Sequence, residues 1–508
     1  MDDAVNRKIG AVIQFFQLII SIVISIVFTS YMLSKLNQAE YGIYSVCAST
    51  IGYLSLLSLG LNSSYIRYYT RAREKLDGIS IEELNWHYIT AFLIFGIVAF
   101  VLGMIIGCNA NILFNEEYTA YELETASVIL KLLACNMALD FPTTVFSSYI
   151  ASQQRYIFLK VILLLKTVVS PLTQFILLFL GYGSIGMTVG LVIVNIAIDI
   201  VYVLFCLSKL NMKFKRSRFN YKFLKMIFSF SVFIGINQIV NQINFNVDKL
   251  LLSKLSEVRQ IAVYSVAATI NSHFEQVGSS IASLYDTKIN IITQSHMDKI
   301  EKKRQLDDIF IKVGRIQFYI LMLITTGFLF FGEYFVGMWA GTDYQESYYI
   351  ILLLIFPLCV PLFQNTAVYI QRAQYKHKFR SILYLCTSVI NIVLSIFFVN
   401  IWGAIGAALG TTIILTANSI IINIYYKRVL NLNIVLFWKN IIRIARGLIM
   451  PSLWGVVSWY IFPCINLFSF ICNVFIYIII YFISMFFFSF NESEKKGCRI
   501  KKDKLQMF

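Results

Sequence analysis

Apolar runs of about 20 residues recur along this 508-residue chain, and they constrain its fold more than any other feature. A helix of that length crosses the roughly 30 Å hydrocarbon core of a bilayer. Backbone groups inside lipid have no water to bond, so each crossing segment must satisfy its own hydrogen bonds. Charged residues make up 14% of the chain, against about 25% in soluble domains. The sequence therefore predicts an all-α integral membrane protein.

We expect about 14 transmembrane helices, with boundaries uncertain by a few residues. The predicted spans are 11–33, 41–62, 87–108, 126–149, 158–180, 185–207, 227–249, 260–284, 316–338, 347–370, 382–401, 404–426, 447–463 and 468–489. The first run is too long for a signal-peptide core and has no small-residue cleavage site, so it predicts an uncleaved span. The basic connector 288–315 predicts an amphipathic helix lying along lipid headgroups.

Basic residues alternate between the two sides of the predicted membrane. With the N-terminus inside, the inner segments hold 37 of the 43 Lys and Arg residues. This asymmetry is the positive-inside pattern, and shifting the count by one span destroys it. The sequence therefore predicts that both termini are cytoplasmic. The same distribution explains the net charge of +16 without nucleic acid, which we exclude as a partner.

Chemistry-bearing motifs are absent from the sequence. The nine cysteines form no CxxC pair or Cys/His cluster, and the four histidines are dispersed, so we predict no metal site and no cofactor. No phosphate-binding GxxxxGK[ST] motif is present, so we do not expect ATP-driven transport by this chain alone. The loops are too short for an extramembrane catalytic domain. These features predict that the protein is not an enzyme.

The chain repeats itself at an offset of 219–220 residues. Five groups of residues recur in order: 33–36 at 252–255, 44–46 at 264–266, Pro142 at Pro361, 149–150 with Gln154 and Lys160 at 369–370 with Gln374 and Arg380, and Gly183, Gly186 and Gly190 at Gly403, Gly406 and Gly410. Each half holds six spans, an even number, so both halves enter the membrane in the same sense. The repeat predicts two parallel six-helix bundles related by a pseudo-twofold axis along the membrane normal.

This organisation gives five predicted segments. They are an N-terminal bundle at 1–207, a basic cytoplasmic linker at 208–226, a second bundle at 227–427, two additional helices at 428–490 and a basic tail at 491–508. Parallel halves of this kind are typical of alternating-access transporters, with the substrate path between them. A duplication kept only for packing is the alternative.

A polar stripe distinguishes span 7 from the other spans. Its members follow helical spacing over three turns, and they are Asn237, Gln238, Asn241, Gln242, Asn244 and Asp248. Such residues must face protein or water inside the membrane. They either line a cavity or form hydrogen bonds that hold neighbouring helices together. The density of the stripe favours a substrate path along it.

Ionisable residues inside other spans are further candidates. Asp140 in span 4 and Lys166 in span 5 lie at similar depth in adjacent antiparallel helices, so they are able to pair, either as a structural contact or as one broken during transport. Lys131 is nearer the outer interface and is either a path residue or a snorkelling side chain. The remaining deep candidates for a proton or cation site are Asp199, His273 and Glu275.

The segments LSKLNQAEYGIYSV and DKLLLSKLSEVRQIAVYSV, with GSIGMTVG and GAIGAALG at spans 6 and 12, resemble polysaccharide flippases. These are the O-antigen and capsule repeat-unit translocases (Wzx type) of the multidrug/oligosaccharidyl-lipid/polysaccharide exporter superfamily. The resemblance covers spans 1–12 and extends to spans 13 and 14. Its motifs are loose patterns, so they indicate the superfamily more specifically than the subfamily.

The resemblance implies two six-helix bundles that open alternately to each side of a bacterial cytoplasmic membrane. The implied cargo is an undecaprenyl-diphosphate-linked oligosaccharide unit, moved from the inner to the outer leaflet for O-antigen or capsular polysaccharide synthesis. Membrane lipids, a polysaccharide polymerase and a chain-length regulator are the implied partners. A diphosphate needs cations along its path, and Lys166, Lys131 or Lys249 would supply them. Span 1 lacks the arginines of peptidoglycan-precursor flippases, which disfavours a peptidoglycan substrate.

Two other functions compete with this one. A cation-coupled multidrug or small-molecule antiporter of the same superfamily would favour an apolar, acidic cavity, whereas lysines within spans and an Asn/Gln face favour the flippase. A membrane-embedded glycosyltransferase or polymerase would need a long loop or clustered acidic residues, and the sequence has neither.

Overall fold

The computed structural model describes residues 3–58, 61–74, 79–116, 118–217, 242, 246–491 and 494, with side chains from Phe16 onward except Ser63. These residues form two compact units. The first comprises 1–266 with 384–410, and the second comprises 267–383 with 411–508. No strand occurs in the described part of the chain. The prediction of an all-α membrane protein is confirmed.

Apart from the stretch between α7 and α8, which lies largely outside the described residues, the helices follow one another with short connections. In the first unit they are α1 (Asp3–Lys35), α2 (Gln38–Leu54), α3 (Leu61–Arg73), α4 (Ile81–Cys108), α5 (Ala120–Ser152), α6 (Tyr156–Phe179), α7 (Gly183–Ser208) and α8 (246–255). Two helices contribute to both units, α9 (Val258–Ser283) and α14 (Lys378–Arg428). The second unit adds α10 (Asp286–Gln294), α11 (Lys299–Trp339), α12 (Ser347–Phe363), α13 (Asn365–Ala373), α15 (Ile434–Ala445), α16 (Ile449–Tyr460) and α17 (Leu467–Phe488).

Among the described residues, nine helices are long and apolar enough to cross a membrane, or ten if the bent pair α12–α13 is one span. Helix α14 contains predicted spans 11 and 12, because its 51 residues break at Trp402 and Gly403. Predicted span 2 is shortened by a 3-10 turn after Leu54, and most of span 7 lies outside the described residues. The count of 14 therefore stays a prediction.

Left-handed backbone recurs within one residue of the predicted offset. Gln154 (φ 59°) lies in the α5–α6 turn, and Tyr375 (φ 57°), the residue after its sequence match Gln374, lies in the turn before α14. Asn211 (φ 48°) and Asn431 (φ 55°) repeat the pattern 220 residues apart. A positive φ is uncommon for residues other than glycine, so chance recurrence at matched positions is improbable. The repeat found in the sequence thus extends to backbone conformation.

The same device begins the sixth helix of each half. Gly183 (φ 55°) precedes Ser184, whose N–H donates to Glu40 Oε1 at 2.7 Å. Gly403 (φ 54°) likewise precedes a residue whose N–H donates, at 2.9 Å, to the side-chain oxygen of Gln260, the residue equivalent to Glu40. Each side chain satisfies an N–H that the helix itself leaves unbonded. Repeat-equivalent serines also meet within the first unit, where Ser265 Oγ donates to Ser45 Oγ at 2.8 Å.

The connector 288–315 differs from its prediction. It is not a separate amphipathic helix, because residues from Lys299 onward continue into the 41-residue helix α11 that ends at Trp339. The apolar stripe of the connector merges with that of the span, so no turn interrupts the helix. Residues 286–294 form a short helix of their own.

Arg315 ties α11 to the end of α17. Its guanidinium is buried and makes hydrogen bonds of 3.0 and 2.7 Å to the Glu494 carboxylate and 3.0 Å to the Ser489 carbonyl. Burial raises the pKa of Glu494, but the bonds and charge of Arg315 outweigh burial and leave that pKa lowered. The stabilisation is therefore present above the ordinary glutamate range and is lost as the pH falls through the lowered pKa.

Candidate functional site: a polar cluster in the first unit

The first unit contains a cluster of polar side chains between α5 and α7. Asn195 Nδ2 donates to Asn136 Oδ1 at 3.0 Å, and Asn136 Nδ2 donates to Asp140 Oδ2 at 2.8 Å. The Asp140 carboxyl in turn lies within hydrogen-bond reach of Asp199. The residue pairs on each helix are four positions apart, which places their side chains on one face. The helices thus present matched Asn-x-x-x-Asp faces to each other.

Two oxygens of this cluster lack donors. Asn195 Oδ1 and Asp199 Oδ2 are buried and have no hydrogen-bond partner among the described residues. Ionised carboxylates only accept hydrogen bonds, so two of them in contact have nothing to donate. A shared proton or a bound cation would satisfy these oxygens and reduce the like-charge repulsion. The cluster therefore has the chemistry of a proton or monovalent-cation site.

Lys166 on α6 is the basic residue that interacts with the two carboxyls of the cluster. It is half-buried and interacts electrostatically with both Asp140 and Asp199. Asp140 and Lys166 form no ion pair, although both lie in the described part of the chain, because the Asp140 carboxyl bonds to Asn136 and faces Asp199. A lysine this close lowers the cost of charge in the cluster.

Lys131 lies nearer the start of α5 than the residues of this cluster. Its aliphatic stem packs on α4 at Gly107, where an added Cβ would come 2.9 Å from Lys131 Cγ. The residue is half-buried. Packing of the stem beneath a partly exposed ammonium is typical of a snorkelling side chain. A path residue would show the same packing, so both alternatives stay open.

Asp248 on α8 is buried among hydroxyl donors. Tyr264 Oη donates to Asp248 Oδ2 at 2.5 Å, and Ser395 Oγ donates to Asp248 Oδ1 at 3.0 Å. A carboxylate with these donors joins α8, α9 and α14 within the first unit. This geometry favours a structural contact over exposure in a path.

Gln242 is the other described member of the polar stripe. Its backbone carbonyl accepts from Tyr53 Oη at 3.3 Å, and its side-chain amide lies close to Gly52. Both contacts are to α2 or its end. Asn237, Gln238, Asn241 and Asn244 lie outside the described residues. The substrate path along span 7 therefore stays a prediction.

His273 and Glu275 lie on α9 in the second unit and are both half-buried. They are two residues apart, so they point to different sides of the helix. Each stays a separate candidate for a proton or cation site. No group of three or more His, Cys, Asp or Glu side chains able to hold a metal occurs among the described residues.

Sequence reasoning missed Asn136 and Asn195. The signal for them was present, because Asn-x-x-x-Asp occurs in span 4 at 136–140 and again in span 6 at 195–199. It also missed Tyr264 and Ser395, the donors to Asp248, since hydroxyls in membrane helices commonly bond their own backbone. No sequence pattern identifies which hydroxyls face a distant carboxylate.

Comparisons with known proteins agree with this fold. The structure is similar to the lipid II flippase MurJ in its inward closed conformation, at 18% identity and a TM-score of 0.72, covering 94% of this chain and 97% of the other. It is similar to an inward-facing MATE multidrug resistance transporter, at 13% identity and a TM-score of 0.64, covering 84% and 99%. A MOP superfamily transporter from Pyrococcus furiosus matches at 12% identity and a TM-score of 0.55, covering 81% and 93%.

Sequence comparison gives the family. No curated protein matches the chain. Residues 9–285, more than half of the sequence, match the family described as polysaccharide biosynthesis protein. The transporters named above share the fold of this chain. The chain belongs to the polysaccharide biosynthesis protein family and has the helical fold of the MurJ flippase and of MATE transporters.

Proposed function

We propose that this protein translocates undecaprenyl-diphosphate-linked oligosaccharide units from the inner to the outer leaflet of the cytoplasmic membrane by alternating access. The product would serve O-antigen or capsular polysaccharide synthesis. Membership in the polysaccharide biosynthesis family is the observation that carries the proposal. The fold shared with a lipid II flippase supports a lipid-linked cargo. No covalent chemistry is required, because the cargo only changes leaflet.

Lys166 is the proposed contact for the diphosphate. It is half-buried in α6, within electrostatic range of Asp140 and Asp199, so the charge that these two carboxyls carry would set how strongly its ammonium attracts an anionic cargo. A half-buried ammonium attracts a phosphate more strongly than one in water. Lys131 would act as a second contact nearer the outer surface. The amide-rich face of span 7 would bond sugar hydroxyls.

The acidic cluster is the proposed coupling element. Uptake of a proton or monovalent cation by Asp140 and Asp199 would change the charge beside Lys166, and so the affinity for an anionic cargo. Such a change biases the equilibrium between conformations only if the ion binds them unequally. The same cluster also favours the alternative, a cation-coupled multidrug or small-molecule antiporter.

Reconstituted vesicles test the proposal. The purified full chain is placed in liposomes with a fluorescent undecaprenyl-diphosphate oligosaccharide, and translocation is followed by quenching from outside. We expect Lys166→Gln to slow translocation and Lys166→Arg to retain it, because arginine keeps the charge. Lys160→Gln, on the same helix, serves as the matched control.

A cellular experiment separates the two functions. Deletion of the chromosomal copy should remove surface polysaccharide and accumulate the lipid-linked intermediate, with resistance to cationic dyes unchanged. Normal surface polymer in a strain without a second flippase would refute the flippase proposal. Loss of dye efflux together with normal polymer would favour the antiporter.

A further inference from the structure

A groove lies between the end of α14 and helix α15 in the second unit. Its volume is about 910 Å³. Four basic side chains line it, Lys427, Lys439, Arg443 and Arg446, and all four are exposed. No acidic side chain is among the residues that line it in the described part of the unit. The sequence predicts that this end of the unit is cytoplasmic.

Helix α15 builds the groove because its faces differ sharply. One face, which includes Phe437, Ile441 and Ile444, is buried. Phe437 stacks on Phe310 of α11 with ring centroids 4.5 Å apart. The opposite face places its basic residues at spacings of four and three, one above another. Packing of the apolar face therefore fixes the direction in which the cations point.

Trp438 forms a fixed apolar wall of the groove. Its indole Nε1 donates to Asn423 Oδ1 at 2.9 Å. Asn423 and Gln364 exchange two further hydrogen bonds of 2.7 and 3.1 Å. Exposed Val435 and Ile442 extend the apolar surface beside the cations. An indole anchored in this way is typical of residues at the membrane–water interface.

We propose that this groove binds the headgroup of an anionic phospholipid, with the start of an acyl chain against Trp438 and Ile442. The cations match the phosphate charge, and juxtamembrane basic clusters attract anionic lipids. The apolar wall selects a lipid over a free phosphate, which would leave that surface in water. The bound lipid is a resident partner of the second unit and is distinct from the translocated cargo.

Native mass spectrometry of the full chain in detergent tests this site, with phosphatidylglycerol as the probe and phosphatidylcholine as the zwitterionic comparison. The variant Lys427→Gln/Lys439→Gln/Arg443→Gln/Arg446→Gln should bind phosphatidylglycerol about tenfold more weakly, because lipid affinity follows the number of nearby cations. The matched control is Lys288→Gln/Lys299→Gln/Lys303→Gln/Arg304→Gln, which removes four exposed cations elsewhere in the same unit. It should bind as the unmodified chain does.

Several outcomes would overturn the proposal. Equal loss in the control would show non-specific attraction to a basic surface. Equal binding of phosphatidylcholine, or displacement of phosphatidylglycerol by an equal concentration of inorganic diphosphate, would show that no anionic-lipid site exists. If the fourfold variant does not elute as a monodisperse species, Lys439→Gln/Arg443→Gln is measured instead and should lose about threefold.

Discussion

The helix pair α5–α7 of the first half and its counterpart α12–α14 in the second half occupy equivalent positions in the repeat. They differ in their ionisable side chains. Asp140 and Asp199 meet in the first pair. At the repeat-equivalent positions the second half has Cys359 and Ser419, which carry no charge. The duplication therefore kept the helices and changed the ionisable groups.

Each pair also contains a hydrogen bond between two side-chain amides, although the two bonds are not at repeat-equivalent positions. Asn136 bonds Asn195 in the first pair, and Gln364 bonds Asn423 in the second, with 59 residues between partners in both. In the first pair Asn136 also donates to the carboxyl of Asp140. In the second pair Asn423 instead accepts from the indole of Trp438. Among the described residues of these helices, carboxyl side chains therefore occur in the first pair alone.

The largest effect we expect is on ion coupling. Asp140→Asn or Asp199→Asn should slow translocation by more than about tenfold, equivalent to ~1.4 kcal/mol, and should remove its response to an imposed ion gradient. The double variant should be no slower than either single one, because the two carboxyls act as one site. The vesicle quenching assay measures both effects.

The matched controls for this experiment come from the other half. Cys359→Ser and Ser419→Ala, at the equivalent positions, should change the rate by less than about twofold. Equal losses in both halves would mean that the acidic cluster supports packing and not coupling. An additive loss in the double variant would contradict a shared site.

A second difference between the halves concerns Asp248, whose repeat-equivalent residue is Thr29. Asp248→Ala leaves the hydroxyls of Tyr264 and Ser395 without this acceptor, which should lower the free energy of unfolding by about 1–3 kcal/mol. Thr29→Val should cost less than about 1 kcal/mol. Thermal unfolding in detergent measures both. A variant with unchanged stability and lost translocation would instead assign Asp248 to the substrate path.

The third prediction concerns what the halves share. Gly183→Ala and Gly403→Ala should each cost about 1–2 kcal/mol, because both glycines have a left-handed backbone. Gly183→Ala should cost more, since its Cβ would come 2.5 Å from Glu40 Oε1, against 2.9 Å from Gln260 Oε1 for Gly403. Gly181→Ala is the control for the side-chain contact. Gly181 also has a left-handed backbone (φ 86°), but no atom lies within 4 Å of its added Cβ. Unfolding temperatures rank the three variants.

The fold was largely predictable from the sequence because lipid imposes a single requirement. A run of apolar residues in hydrocarbon must be helical, so hydropathy located the helices without tertiary information. The repeat offset predicted the paired helix starts at Gly183 and Gly403. The merging of the 288–315 connector into α11 was not predictable, because one continuous helix and two helices share the same periodicity.

The candidate site was predictable only in part. Helical rise placed Asp140 and Lys166 at similar depth, and they do lie within electrostatic range. The bond from Asn136 to Asp140 follows from their four-residue spacing on α5. Which side chain of α7 faces Asp140 depends on the rotation of α5 and α7 about their axes, and a single sequence does not determine it.

The smallest effect we expect is the coupling energy within the two hydrogen-bonded amide pairs, Gln364 with Asn423 and Asn136 with Asn195. A double-mutant cycle on Gln364→Leu and Asn423→Leu should give a coupling of about 0.6 kcal/mol, the average for hydrogen bonds between membrane helices. The cycle removes the separate loss of the Trp438 bond, which both variants containing Asn423→Leu share. Because this pair is neutral, its coupling should not change with pH. The same cycle on Asn136 and Asn195 should vary with pH, since that chain of bonds ends on Asp140. Equal, pH-independent couplings in both cycles would mean that the acidic cluster does not exchange protons, which would contradict its role in proton coupling.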